Sequence, residues 1–320
     1  MEKWLVGVDL GGTNIKFAFL SDDGDILYRW SIPTDVTNDG QNIIPDIASS
    51  ILQKLHESNK TTNDVKGIGI GVPAFMNMET GFIYEAINLG WKDIDIKSEL
   101  EQRLMLPVVI DNDANVAAIG EMWRGAGTGS KDLLCITIGT GIGGGIIING
   151  EIIHGTNGMA GEIGHITVNP ENGILCNCGK HGCLETISSA TGMVRQAIAE
   201  INNYPESLLA EAYKQTKGHI TAKMIVQAAI EKDAYALKIV DTSSYYLGLA
   251  IANIANTINP SRIVIGGGVS KGGSLLMNSI QKYFNQFALA RVQMGADLAI
   301  ATLGNDAGVI GAAWLVKNKL

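Results

Sequence analysis

Apolar positions along this chain fall into two alternating periods. Short, mostly apolar runs closed by glycine or by a polar turn read as strands: residues 4–8, 15–20 and Val65–Val72 (V-K-G-I-G-I-G-V). Residues 42–55 carry apolar positions at helical spacing. A further strand at 106–110 runs into D-N-D-A-N and a helical stretch at 114–123. Strands at Leu133–Ile138 and 146–148 follow, then helices at 192–201, 222–229 and 234–257, the last long and apolar. Asn259 and Pro260 stop that helix. A strand at 262–265 then meets Gly266, Gly267 and Gly268, which turn the chain into a helix at 274–287, and a helical tail covers 308–317. The alternation of strand and helix predicts an α/β protein.

One pattern occurs twice. In residues 4–26 a strand meets D-L-G-G-T, a second strand follows, and the chain turns at Gly24. In residues 133–152 a strand meets G-T-G-I-G-G-G, a second strand follows, and the chain turns at Gly150. Each copy predicts a hairpin whose glycine turn offers backbone N–H groups to an anion. Two such turns in matching register suggest two halves that hold one polyphosphate.

Composition narrows the ligands. At 320 residues two domains are expected, and with no flexible linker in view the boundary is placed at a hinge near Asp113. The lobes would be 1–113, joined by the C-terminal helix at about 304–320, and 114–303, which holds a knuckle at 165–183. A net charge of −8 argues against a nucleic-acid surface, so phosphate must be held by amides rather than by a basic patch. No apolar run reaches the length of a membrane span and the N-terminus carries no signal peptide, so a cytoplasmic protein is expected.

The densest chemistry lies at G-E-I-G-H followed by C-N-C-G-K-H-G-C-L-E. Cys176, Cys178 and Cys183 with His165 make three thiolates and one imidazole, a closed tetrahedral set for structural zinc. The other readings are reduced core cysteines or a disulfide, and His181 inside the loop competes with His165 for the fourth position. Cys135, in an apolar strand, reads as packing. Glu162 and Glu185 bracket the segment and would set carboxylates beside an imidazole, a set suited to a polyhydroxylated ligand.

Carboxylates at two strand ends complete the candidates. Asp113, at a helix start where the positive end of the dipole favours the ionised form, reads either as a general base or as a helix cap. Asp9, beside Gly11, Gly12, Thr13 and Asn14, can reach Mg²⁺ through water while the turn's amides face phosphate. Lys16, in the second strand, reads either as added charge or as a lysine on the strand's solvent face.

Together D-L-G-G-T-N-I-K, G-T-G-I-G-G-G, G-E-I-G-H, the cysteine knuckle and I-G-G-G-V resemble the ROK sugar kinases over essentially the whole chain. N-L-G-W, G-E-M-W and G-N-D-A-G-V-I-G-A-A-W are most similar to that family's glucokinases from Gram-positive bacteria. The resemblance implies a duplicated actin-like, hexokinase-type (ribonuclease H-like) α/β fold of two lobes around an active-site cleft. It implies transfer of phosphate from ATP to the 6-hydroxyl of glucose, with Asp113 as the base and Asn112, Glu162, His165 and Glu185 on the other hydroxyls. ATP phosphates would lie on Gly11, Gly12, Thr13, Asn14, Gly139, Thr140 and Gly141, the adenosine on Gly266, Gly267 and Gly268, with Mg²⁺ near Asp9. His165 would serve both zinc and sugar. The family also suggests a homodimer.

Two positions depart from the family pattern: Ala74 stands where many members carry glycine, and Asp111 where glutamate is frequent. Kinases for N-acetylmannosamine, mannose or fructose and non-enzymatic sugar sensors share the motifs. With strand one beginning at Trp4, no DNA-binding segment is expected ahead of it.

Overall fold

The computed structural model describes residues 3–320, all but the side chain of Lys271. The first half runs β1 (Trp4–Leu10), β2 (Asn14–Leu20), β3 (Ile26–Pro33), α1 (Ile43–Glu57), β4 (Val65–Val72), β5 (Phe75–Met76), β6 (Ile83–Ala86), β7 (Trp91–Ile94), α2 (Ile96–Leu104), β8 (Val108–Asn112) and α3 (Asp113–Arg124). The second runs β9 (Leu133–Ile138), β10 (Ile142–Ile148), β11 (Glu151–Ile152), α4 (Glu185–Ser188), α5 (Ala190–Glu200), α6 (Leu208–Gln215), α7 (Ala222–Ile230), α8 (Ala234–Ile258), β12 (Arg262–Gly266), α9 (Gly273–Phe287), α10 (Ala290–Gly295), β13 (Asp297–Ile300) and α11 (Ala307–Lys319).

The duplicated pattern becomes duplicated topology. One five-stranded sheet has the order β3-β2-β1-β4-β8 and the other β11-β10-β9-β12-β13. In the first, β1 pairs antiparallel with β2 and parallel with β4, and β4 parallel with β8. In the second, β12 lies parallel to both β9 and β13. Glycines predicted to lie in the second turn, Gly143, Gly144 and Gly145, belong to β10, so that turn is confined to Gly139, Thr140 and Gly141.

Strand β4 shows how sequence dictates the layers. Its isoleucines, Ile68 and Ile70, join Val6, Val8, Phe17 and Phe19 in a core shared with Ile47 and Ile51 of α1 and Leu100 of α2. Its glycines occupy the opposite face, as strand alternation requires. A Cβ at Gly69 would collide with the Ala312 carbonyl, and one at Gly7 of β1 with that of Val309. Helix α11 therefore rests its backbone directly on the sheet. It meets α3 the same way, since a Cβ at Gly311 would strike Val116 and one at Gly120 would strike Ala307.

That packing corrects the expected boundary at Asp113. One compact unit comprises Met1–Lys131, Gly145–Gly161 and Leu303–Leu320, the other Asp132–Gly144 and Glu162–Thr302. Helix α3 belongs to the first because α11 holds it there. Helix α11 lies in that same unit. The sequence pattern gave no sign of the small sheet β5-β6-β7, of β3, β13, α2, α6 or α10. No helix among the described residues is long and apolar enough to cross a membrane.

Candidate active site and metal centre

In the first unit the carboxyl ends of three parallel strands align Asp9, Gly71 and Asp111 in one row. With strands about 4.8 Å apart, Asp9 and Asp111 stand roughly 10 Å from each other. Chain and helix part beyond Asn112, which caps α3 by accepting the Ala114 N–H at 2.9 Å. Asp113 is the first helical residue, half-buried, and its Oδ1 shares that N–H at 2.9 Å. The cap role left open for Asp113 is thus filled chiefly by Asn112.

Asp111 is more embedded than a strand-end residue of incidental role would be. It is fully buried and accepts from the Asn112 N–H at 2.8 Å, Asn115 Nδ2 at 2.9 Å and His154 Nε2 at 2.8 Å. Three donors satisfy a buried carboxylate and fix the backbone from which Asn112 and Asp113 project. His154 and Asn115 were not singled out in the sequence. Asn115 lies only four residues from Asp111, a separation that could have found it, whereas His154 comes from 43 residues away and left no local signal.

Of the two readings of Lys16, the structure supports the one that adds charge. This lysine is the cross-strand partner of Asp9, and its Nζ donates to Asp9 Oδ2 at 2.9 Å. The 11–14 turn is closed by the Gly11 N–H donating to the Asn14 carbonyl at 3.1 Å. Thr34 straps it from β3's end: its Oγ1 donates to the Gly11 carbonyl at 2.6 Å and its N–H to that of Thr13 at 2.9 Å. A cavity of about 450 Å³ beside the turn is lined by Asn14, Lys16, Arg29 and Asp306 among others. Each cation there is already matched by a carboxylate, Lys16 by Asp9 and Arg29 by Asp306 at 3.0 Å.

In the second unit the Gly139 N–H donates to the Gly141 carbonyl at 2.9 Å, closing the second turn. Gly266 pairs with Thr137 at the end of β12, and Gly267, at φ +87°, has no room for a side chain against the Ile138 backbone. Gly266, Gly267 and Gly268 therefore stand alongside the 139–141 turn at one end of the sheet. Glu185 opens α4 and accepts the Ile142 N–H at 2.9 Å.

His165, Cys176, Cys178 and Cys183 gather with their ligand atoms within 4.8 Å of one another. Cys176 Sγ lies 3.6 Å from His165 Nδ1, and Cys178 Sγ 3.6 Å from Cys183 Sγ. Tetrahedral zinc with Zn–S bonds of about 2.3 Å would space its sulfurs about 3.8 Å apart. A disulfide needs about 2.05 Å, so the sulfur spacing fits one shared cation. Burial, followed by Cys178 and Cys176, pushes the Cys183 thiol up to about 12, while the Lys180 N–H lowers Cys178. A divalent cation at the centre would reverse the cost of that burial. His181 stands outside the group, its Nδ1 3.0 Å from the Gly173 carbonyl. His165 turns its other nitrogen, Nε2, toward Glu162 Oε2 at 3.9 Å. Cys135 is buried in β9, as expected.

The ROK family profile matches residues 5–319. The chain belongs to the ROK family. It is 55% identical over 318 residues to a glucokinase of Halalkalibacterium halodurans, spanning 99% of this chain and 96% of that one. Among solved structures it is similar to a ROK family glucokinase from Streptomyces griseus in complex with glucose and AMPPNP, with TM-score 0.80, 36% identity and 98% of each chain covered. A xylose repressor of Caldicellulosiruptor bescii is 29% identical over 98% of this chain and 77% of its own length. The ROK fold thus accounts for the duplicated sheets.

Proposed function

We propose that this ROK protein is a sugar kinase that transfers the γ-phosphoryl group of ATP to the 6-hydroxyl of glucose. The observation that carries the reading is the 55% identity, over nearly the whole of both chains, to a glucokinase. The likeness to a glucokinase in complex with glucose and AMPPNP supports both substrates.

The assigned chemistry needs positioning more than covalent work. Asp113 takes the proton of the 6-hydroxyl as its oxygen bonds to the γ-phosphorus and the bond to ADP's terminal oxygen breaks. Asp111, His154 and Asn115 hold the strand end from which that base projects. Asn112, Glu162, His165 and Glu185 are assigned to the remaining hydroxyls. Amides of the 11–14 and 139–141 turns are assigned to the phosphates, and Gly266, Gly267 and Gly268 to the adenosine. Asp9, a hard oxygen donor, would hold Mg²⁺ through water, and the cation's charge would offset that of the phosphates. His165, Cys176, Cys178 and Cys183 would hold zinc, whose closed ligand set leaves no position for water and makes it structural. A cytoplasmic homodimer completes the reading on the strength of the family resemblance, with sedimentation as its check.

The sugar is tested by comparing kcat/KM for glucose, mannose, fructose and N-acetylmannosamine with ATP. Glucose is expected to rank first, because carboxylates built to accept its hydroxyls lose about 1–3 kcal/mol when one goes unmatched. A higher value for another sugar would reassign the substrate. Sugar binding without turnover of any of the four would favour a non-enzymatic sensor over a kinase.

A further inference from the structure

The two arms of the cysteine knuckle converge on Ile142, the first residue of β10 and the one that follows the second glycine turn. Residues flanking the metal ligands form a short ladder: Leu184 N–H donates to the Ile166 carbonyl at 2.9 Å, Val168 N–H to that of Gly182 at 2.8 Å, and Thr167 bridges to Cys183. At one end of this ladder Gly164, next to His165, lies so close to Ile142 that a Cβ would collide with its carbonyl oxygen. At the same end, on the other arm, Glu185, two residues beyond Cys183, accepts the Ile142 N–H at 2.9 Å. The same segment also reaches the turn's start, since Ala190 N–H donates to the Gly139 carbonyl at 2.9 Å. A Cβ at Gly141 would fall on the Glu185 carboxylate, so a side chain there would have to push that carboxylate aside.

We propose that Glu185 is a positioning residue for the 139–141 turn, so that the arm leaving the knuckle sets nucleotide affinity as well as touching sugar. This rests on the assignment of that turn to ATP phosphates. Because Glu185 occupies the Ile142 N–H, the amides left to face phosphate are those of Thr140 and Gly141, and their direction depends on how firmly Ile142 and Gly139 are held. Sugar contact and turn geometry then share one carboxylate, and loosening the knuckle loosens both.

The test is the affinity for AMPPNP with Mg²⁺ in the absence of sugar, together with amide hydrogen exchange at Ile142, in the full chain. Glu185→Ala should weaken AMPPNP by about tenfold, the equivalent of one lost hydrogen bond to a charged group, and speed Ile142 exchange. Glu185→Asp keeps the charge but falls short by one methylene, and should behave like the alanine variant. Glu185→Gln keeps an acceptor of the same reach and should stay within about threefold of wild type, since its neutral bond is the weaker kind. Unchanged AMPPNP affinity and unchanged Ile142 exchange in the alanine and aspartate variants, with losses confined to glucose, would overturn the proposal and leave the kinase reading standing. Tighter AMPPNP binding in both the alanine and glutamine variants would also overturn it, by showing that the carboxylate acts through repulsion. A wild-type protein that binds no AMPPNP would overturn it together with the reading beneath it.

Discussion

The two glycine turns began as the same pattern and are held by different means. The 11–14 turn is secured within its own sheet: Thr34 straps it, and the cross-strand pair Asp9–Lys16 stands at its base. The 139–141 turn is secured from outside its sheet, by Glu185 and Ala190, on the segment that follows the cysteine knuckle. Turns of one pattern are thus set in two different surroundings. The first half keeps carboxylates at strand ends, suited to proton transfer and a hard cation. The second gathers one imidazole and three thiols, a donor set suited to a soft cation. Metal loss should therefore damage one turn and spare the other.

The largest effect expected from this division concerns chemistry. Asp113→Asn keeps the side chain's shape and removes the base, so kcat should fall about 10² to 10⁴-fold while glucose affinity stays within several-fold. Turnover within tenfold of wild type would return Asp113 to helix capping alone, and the first half would lose its chemical role.

The second effect belongs to the metal. Cys176→Ser or Cys183→Ser should release the zinc measured by elemental analysis, lower thermal stability, and cost at least about 10–100-fold in glucose affinity as His165 loses its anchor. Cys135→Ser should keep the metal, since that thiol packs in β9. A fully active wild-type preparation without zinc would remove the asymmetry between the halves.

Asp9→Ala should lower the productive use of Mg·ATP by about tenfold, the low end for an outer-sphere partner, because Lys16 already balances part of its charge. Equal losses for glucose and Mg·ATP would make Asp9 a support of the fold. Thr34→Val is the mildest probe. It removes the hydroxyl bond to Gly11 but keeps the backbone strap to Thr13, so stability should fall by about 0.5–1.5 kcal/mol in denaturant titration, with zinc content unaltered.

What could be read from the sequence was local or repeated. Strands bounded by glycine, the twin turns and the cysteine spacing are short-range patterns, and β4 and β9 appear at the residues expected, Val65–Val72 and Leu133–Ile138. Contacts across long stretches of chain stayed hidden. His154 to Asp111 and Ile142 to Glu185 each span 43 residues, and neither partner carries a local mark of the other. The boundary at Asp113 failed for a related reason. A turn between strand and helix looks like a hinge, but the glycines that let α11 lie against α3 and β4 bind that helix into the first unit. Lys16 shows the same limit at short range, since strand alternation gives a face but not the neighbour waiting on it.

The most direct test of the account is the identity of the product. Purified protein incubated with Mg·ATP and glucose should yield glucose 6-phosphate and ADP in equal amounts, which phosphorus NMR distinguishes from phosphate at any other hydroxyl. ADP formed with free phosphate while glucose is unchanged, or phosphate on another hydroxyl, would contradict the assignment of the 6-hydroxyl to Asp113.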